Sequence, residues 1–539
     1  MAKQCRTSAE PMRKLRLGGQ NGMVSGWTGQ TACALQEAMR LSNEAFARRL
    51  GIGVRTVAGW HQKPTLRPQS GMQEILDTAL EQASPAVKER FAVLTAGPPD
   101  ATPASTGTAD AEKRLSTDPY IAAALHWLDE RAGWDPGTAR RRVAARLGQI
   151  DLRQLQDRAR HRARVDQRRI ADTLSTYYSD PPSGYGVYAA DDTVTSVLTI
   201  PDWLDLACPL MPPSDQLAVT GTATDSGIAL DEDTAGRAAQ RLAETLALNV
   251  RLTAAPLYSL TGIAPGKGAI RGTAEMTTMT RFGLTLDLLE GESVDAIAAD
   301  APVSPGSLPL RDRYLPDVAS VLDLSGRLCV GGVLALTAVA RPASPLRGPA
   351  DYVLLVQERS GRVMNAVRRL AVIPKGFHEP MTDYGADVRL AATLRREMEE
   401  ELFGRDDIDT TAGDQRRADP MHPSRLSEPM RWLLDEPDRL RMECTGFGLN
   451  LVSGNYEFAC LIVIDDEEFW TRFGGEIEAN WEASTLRQYS SLDRAMLSEL
   501  ISDRAWSNEG LFALLQGLRR LREIGGDRVD APTIDWEIR

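Results

Sequence analysis

Gly376 to Gly404 reads GFHEPMTDYGADVRLAATLRREMEEELFG, and the fold of its second half decides how the chain is understood. Residues 387–402 contain no Gly or Pro and are rich in good helix formers, which predicts one helix over Asp387–Leu402. At about 100° per residue, Leu390, Leu394, Met398 and Leu402 make one apolar stripe that should face a core. Glu401 falls inside that stripe, and Glu397 and Glu400 lie beside it. Carboxylates turned toward a core are costly unless a cation meets them, and neighbouring ones repel. Arg396 can reach Glu400 one turn on, which leaves Glu397 and Glu401 in want of positive charge. Mg²⁺, a hard cation bound through oxygen, would supply it.

The run Arg396-Glu397-Met398-Glu399-Glu400-Glu401 resembles the Arg-Glu-apolar-x-Glu-Glu core of the Nudix box. Asp351 to Gln357 reads as a strand, and Ile373-Pro374-Lys375-Gly376-Phe377 looks like the loop that opens the box; Val388 stands where the family carries a further Glu. Nudix proteins cleave or bind a nucleoside diphosphate linked to another group, usually with Mg²⁺. The resemblance implies a C-terminal α/β sandwich with a mixed sheet over 323–525. It also implies metal on Glu397, Glu400 and Glu401, with Arg396 orienting them as the fourth catalytic residue. Lys375, Gly376, Arg368 and Arg369 would contact the ligand. The competing reading is a surface helix laced with Arg–Glu pairs.

At 539 residues the chain exceeds one core, so several domains are expected. No run of eighteen apolar residues occurs, and the N-terminus has positive charge without an apolar stretch. Neither a membrane partner nor a secretory signal is therefore expected. Six scattered cysteines without a CxxC pair point to a reducing cytoplasm, and to neither a disulfide framework nor a zinc site. Net charge is −12, unevenly spread. Residues 1–95 hold 13 Lys/Arg against 7 Asp/Glu, and residues 131–169 hold 12 Arg against 4 Asp. Basic front segments on an acidic body suggest contact with nucleic acid.

Residues 29–62 supply the second signal. Thr31–Met39 reads as a helix, Asn43 as the cap of a second through Leu50, Gly51-Ile52-Gly53 as a tight turn, and Val54–Trp60 as a third helix. Ala47, Gly51, Ile52, Val57 and Trp60 stand where a helix-turn-helix needs small, turn and locking residues. The segment resembles the DNA-binding domain of phage-repressor-like (XRE) regulators. That resemblance places the start of the third helix in the major groove of double-stranded DNA. Val54, Arg55, Ala58 and Gly59 would lie toward the bases, with Asn43, His61, Lys63 and Arg67 toward phosphates and Thr56 also counted among the DNA-binding residues. Of these, Arg55 alone can read a guanine by a bidentate pair.

The expected organisation is multidomain, α and α/β. An all-α helix-turn-helix domain covers 27–95 and a flexible linker 96–111, which is Pro/Ser/Thr-rich without an aromatic residue. An Arg-rich helical segment follows over 112–175, suited to dimerisation or to DNA phosphates. An α/β segment of open role spans 176–322, with a strand at Val194–Ile200 and a helix at Ala235–Leu248. Gly262–Gly268 has P-loop glycines but no Ser/Thr after Lys267, and reads as a surface turn. Past the box, a hairpin is expected around Gly454-Asn455, and a closing helix over Asn508–Ile524 capped by Ser507. Two functions compete. One is a homodimeric transcriptional regulator whose Nudix-like domain senses a nucleotide-type metabolite. The other is a Mg²⁺-dependent Nudix hydrolase carrying an accessory DNA-binding domain.

Overall fold

A computed structural model describes residues 27–39, 41–63, 66, 68, 70–81, 83, 87–88, 90–91, 94, 105–222, 229–250, 252–345, 347–359, 368–405, 420–474, 477 and 483–539. The chain forms two compact units, 1–103 and 104–539. Arg67 and residues 96–104 of the expected linker lie outside the described residues.

In the first unit, α1 (Gly29–Ala38), α2 (Asn43–Leu50), α3 (Val54–Gln62) and α4 (Ser70–Glu81) enclose Trp27, Leu35, Phe46, Val57, Trp60 and Leu76. Gly51 takes φ +68° after α2, the left-handed conformation that ends a helix at little cost to Gly. The cap of α2 is Ser42, whose side chain accepts from the Ala45 amide at 3.2 Å. Asn43, expected there, is the first helical residue, and its Oδ1 accepts from Gln36 Nε2 at 2.8 Å. A serine one position earlier outcompeted it because its oxygen reaches the third helical amide. Gly29 is required by a close approach: a Cβ there would stand 2.5 Å from the Lys63 carbonyl oxygen.

The second unit opens with α5 (Ser105–Thr117), which begins inside the segment expected to be linker, and α6 (Pro119–Arg131). The Arg-rich stretch becomes three helices, α7 (Thr138–Leu147), α8 (Leu152–Arg164) and α9 (Gln167–Tyr177). Asp151 and Asp166 cap α8 and α9. α10 (Glu232–Ala247) and α11 (Leu288–Ala298) complete the helical layer that matters to the site. Beneath them lies a large mixed sheet. It contains β1 (Gly186–Ala190), β2 (Thr193–Thr199), β3 (Cys208–Pro209), β7 (Gly331–Arg341), β8 (Asp351–Arg359), β9 (Leu370–Val372), β10 (Lys375–Phe377), β11 (Leu440–Asn450), β12 (Tyr456–Ile464), β13 (Ala483–Ser490) and β14 (Trp536–Ile538). Its main order is β13-β8-β7-β12-β11-β2-β1-β14, with β7 and β12 parallel. β4 (Asp215–Thr222), β5 (Pro256–Gly266) and β6 (Ala269–Thr278) make a separate small sheet; the stretch at 262–268, expected as a surface turn, is instead the end of β5 through Gly266, with only Lys267-Gly268 turning into β6. Strands from 186–199 and from 331–538 thus share one sheet across the segments that composition had distinguished.

Alternation explains why the sheet is covered on both sides. In β12, Phe458, Cys460, Ile462 and Ile464 face one core, while Ala459, Leu461 and Val463 face the other. β7 divides in the same way, with Val333, Ala335 and Val339 opposite Leu334, Leu336 and Ala338. Period-two strands that are apolar at every position need a layer on each face. The second face is closed by the helix Asn508–Ile524, called α13 below, whose Leu511, Leu514, Leu515 and Leu518 are buried and whose Ser507 cap is as expected. Among the described residues, no helix is long and apolar enough to cross a membrane.

The helix expected over Asp387–Leu402 is broken. A short turn, Tyr384–Asp387, precedes α12 (Leu390–Glu397), and Met398–Leu402 forms a π-helical turn. Asp387 is drawn out of α12 by its own bonds: its Oδ2 accepts the amides of Met381, Thr382 and Asp383 at 2.8–3.0 Å. The wider π-turn rephases the stripe. Glu399, which a regular helix would turn away from the core, is fully buried with Met398 and Glu401.

Candidate functional site

Arg389 brings no side-chain cap to α12, so another segment serves that end. Asp215 of β4 accepts the Leu390 amide at 2.8 Å. Burial raises the Asp215 carboxyl, and amide bonds from Leu390 and Leu217 oppose the rise. From this anchored start, α12 delivers Arg396 and Glu397 against Lys375–Phe377, which was expected as a loop and is the short strand β10 paired with β7. Arg396 lies 2.7 Å from Glu397, 2.8 Å from Glu379 and 3.6 Å from Glu400, and donates to the Phe377 carbonyl at 3.1 Å. Glu401 accepts the Lys375 amide at 2.7 Å. Glu399 takes Arg405 at 3.1 Å together with the amide and hydroxyl of Ser427. Gly376 leaves room for the Glu397 carboxylate: a Cβ there would stand 1.8 Å from Glu397 Oε1 and would have to displace it.

The expected metal set is therefore brought together, but around a guanidinium and an amide. Glu397, Glu400 and Glu401 are all buried; Glu397 Oε1 and Glu400 Oε2 face Arg396, and Glu401 Oε2 accepts the Lys375 amide. Among the described residues no group of three or more His, Cys, Asp or Glu side chains is arranged to hold a metal ion. Mg²⁺ takes several oxygen ligands near octahedral geometry; in this arrangement a guanidinium and an amide already meet these carboxylates.

Lys375 leads from the box to a cavity. Its ammonium lies 2.6 Å from Glu509, in the first turn of α13. Asn450 Nδ2 spans Glu509 Oε2 and Glu457 Oε1, each at 3.3 Å. Glu457, Glu509 and Asn450 line a cavity of about 330 Å³ roofed by α8, α10 and α11. Burial would raise Glu509, but the Lys375 ammonium overrides it and holds that carboxyl below its ordinary range. Glu457 goes the other way: burial first, then the Glu509 charge, pushes it up to about 8.

The sign of the pH effect follows. Glu457 has a folded pKa above its ordinary 4.5, so its contribution to stability is full below about 4.5 and is lost as pH climbs through about 8. Glu457→Gln, which imitates the protonated carboxyl, is expected to flatten the fall in stability across that window, by on the order of a few kcal/mol. Urea titrations of both proteins from pH 5 to 9 check this; parallel profiles would contradict it.

The ligand candidates divide. Arg369 lines the cavity, and its Nη2 donates to the carbonyls of Val165 (2.6 Å) and Arg162 (3.1 Å). Lys375 borders it through Glu509, Gly376 packs on Glu397, and Arg368 is exposed at φ +59°. The Arg-rich helices are held internally. Four of their arginines pair with carboxylates from 231–300: Arg158 with Glu244 (2.5 Å), Arg162 with Asp295, Arg142 with Glu232 and Arg169 with Asp300. Glu457 and Glu509 escaped the sequence reading. One signal was present: Glu457 is a lone carboxylate in the otherwise apolar Tyr456–Ile464 run, a position that requires a partner.

In the first unit, Val54, Arg55 and Thr56 are exposed at the start of α3, and Ala58 is half-buried. Gly59 faces open space. Lys63 is exposed, while the His61 ring lies 2.9 Å from Gln36 Oε1, inside the unit's own hydrogen bonding. The sequence matches no protein-family model and no curated protein.

Proposed function

We propose that the chain is a homodimeric, DNA-binding transcriptional regulator whose larger unit senses a small metabolite of nucleotide type. The XRE resemblance carries the DNA half. It is supported by a three-helix arrangement with Arg55 exposed at the start of α3, away from the Phe46–Trp60 core. The observation carrying the sensor half is the cavity of about 330 Å³, within the size range of small-molecule sites and lined by convergent polar groups. The Nudix resemblance supplies the ligand class, and in this reading the buried glutamates hold strand β10 in place instead of holding metal. A ligand alters DNA affinity only through a different affinity for two arrangements of the dimer.

The test begins with selection of a binding site from random double-stranded DNA. Arg55→Ala is expected to weaken binding to the selected site by about 1–3 kcal/mol, the worth of a bidentate base contact. Titrations by fluorescence anisotropy measure it. Equal affinity of the variant and the parent would remove α3 from the groove.

A further inference from the structure

Five guanidiniums line the cavity, as an anionic ligand would want, yet all five are engaged. Arg158 and Arg241 each lie 2.5 Å from a carboxylate, Glu244 and Asp287 respectively. Arg162 grips Asp295 with two nitrogens, and Arg237 sits 2.9 Å from Asp233 and 3.7 Å from Glu292. Arg369 has no carboxylate partner among the described residues, but its Nη2 already serves two backbone carbonyls. Seven carboxylates line the same space, two more than the guanidiniums. Lys375 adds one cation at the border, and Glu457, kept protonated at neutral pH, removes one negative charge. The lining is then balanced.

A phosphate entering this space would be desolvated with no cation free to meet it, and would have to break an existing ion pair. An uncharged ligand rich in N–H and O–H groups meets the opposite situation. Carboxylates, Ser453 and Asn455 Oδ1, a buried oxygen with no hydrogen-bond partner among the described residues, offer acceptors, while Leu288 and Val452 give apolar wall for a flat ring. We infer that the cavity binds an uncharged nucleoside and discriminates against its phosphorylated forms. This rests on the sensor reading above and narrows its ligand class.

The test is isothermal titration of the full chain at pH 7 with adenosine, guanosine, cytidine and uridine, each beside its 5′-monophosphate, and with ADP-ribose. At least one nucleoside is expected to bind, and its monophosphate to bind about tenfold more weakly or worse. Ala159, half-buried on α8 and part of the lining, gives a variant with little risk to folding. Ala159→Phe should abolish binding and Ala159→Ser keep it. Glu244→Gln releases Arg158 and should narrow the gap between nucleoside and monophosphate. A monophosphate or ADP-ribose binding more tightly than every nucleoside, binding indifferent to Ala159→Phe, or no binding by any of the panel would each overturn the inference. Nucleoside binding that leaves DNA affinity unchanged would instead defeat the regulator reading and leave the ligand assignment standing.

Discussion

Replacing Arg311 by Met is expected to destabilise the larger unit by about 3–5 kcal/mol. Arg311 is completely buried, and its guanidinium reaches no carboxylate among the described residues. Its guanidinium donates to the carbonyls of Leu451 and Val452, both at 2.5 Å, to Tyr178 Oη at 3.0 Å, and to the Leu289 carbonyl and Ser293 Oγ at 3.3 Å. One side chain thus ties α9 and α11 to the end of the β11–β12 hairpin. Met would fill much of the space but leave those acceptors buried and unserved, and an unserved buried polar group costs about 1–3 kcal/mol. Because Val452 and Leu310 line the cavity, the loss should extend to its shape. Urea unfolding followed by tryptophan fluorescence measures it. A loss under about 1 kcal/mol would show that the hairpin holds its place without this anchor.

The second large effect is expected at Lys375. Lys375→Met removes the cation facing Glu509 and, through it, the counterweight to Glu457. Breaking a buried pair from one side costs about 3–5 kcal/mol. The cost should depend on pH in a definite direction. In the parent, Glu509 lies below its ordinary pKa, so its contribution is present above about 4.5 and is lost on acidification. Without the ammonium, burial dominates both carboxyls and raises them. The variant should therefore be closest to the parent near pH 5 and furthest from it near pH 8. Melting temperatures of both proteins across that range settle the sign; a gap that widens toward acid would mean that Lys375 is not the partner that keeps Glu509 ionised.

Local chemistry was legible before any coordinates. β7, β8 and β12 follow from runs apolar on both faces, the last helix from the Ser507 cap and its leucine stripe, and the turn after α2 from Gly51. Burial of Glu397, Glu400 and Glu401 was also legible, because the period of a helix places them near Leu394 and Met398. What neutralises them was only half visible. Arg396 was within one turn of Glu400, but Glu379 and the Lys375 amide reach the cluster through the preceding loop.

The sequence by itself determined most of the strands and helices, and that Glu397, Glu400 and Glu401 would have to lie inside; the burial of Glu399, Glu457 and Glu509 was not foreseen. Those properties depend on neighbours within a few positions: side-chain period, cap and turn. Only the tertiary structure decided how the charges are met. Arg158 meets Glu244 across 86 positions and Arg162 meets Asp295 across 133, while Lys375 closes on Glu509 across 134. No local preference specifies such pairs. They form because the fold brings distant segments together. Arg158 and Arg162 meet their partners while still partly exposed, whereas Lys375 and Glu509 are buried, where a charge is tolerable only beside its opposite.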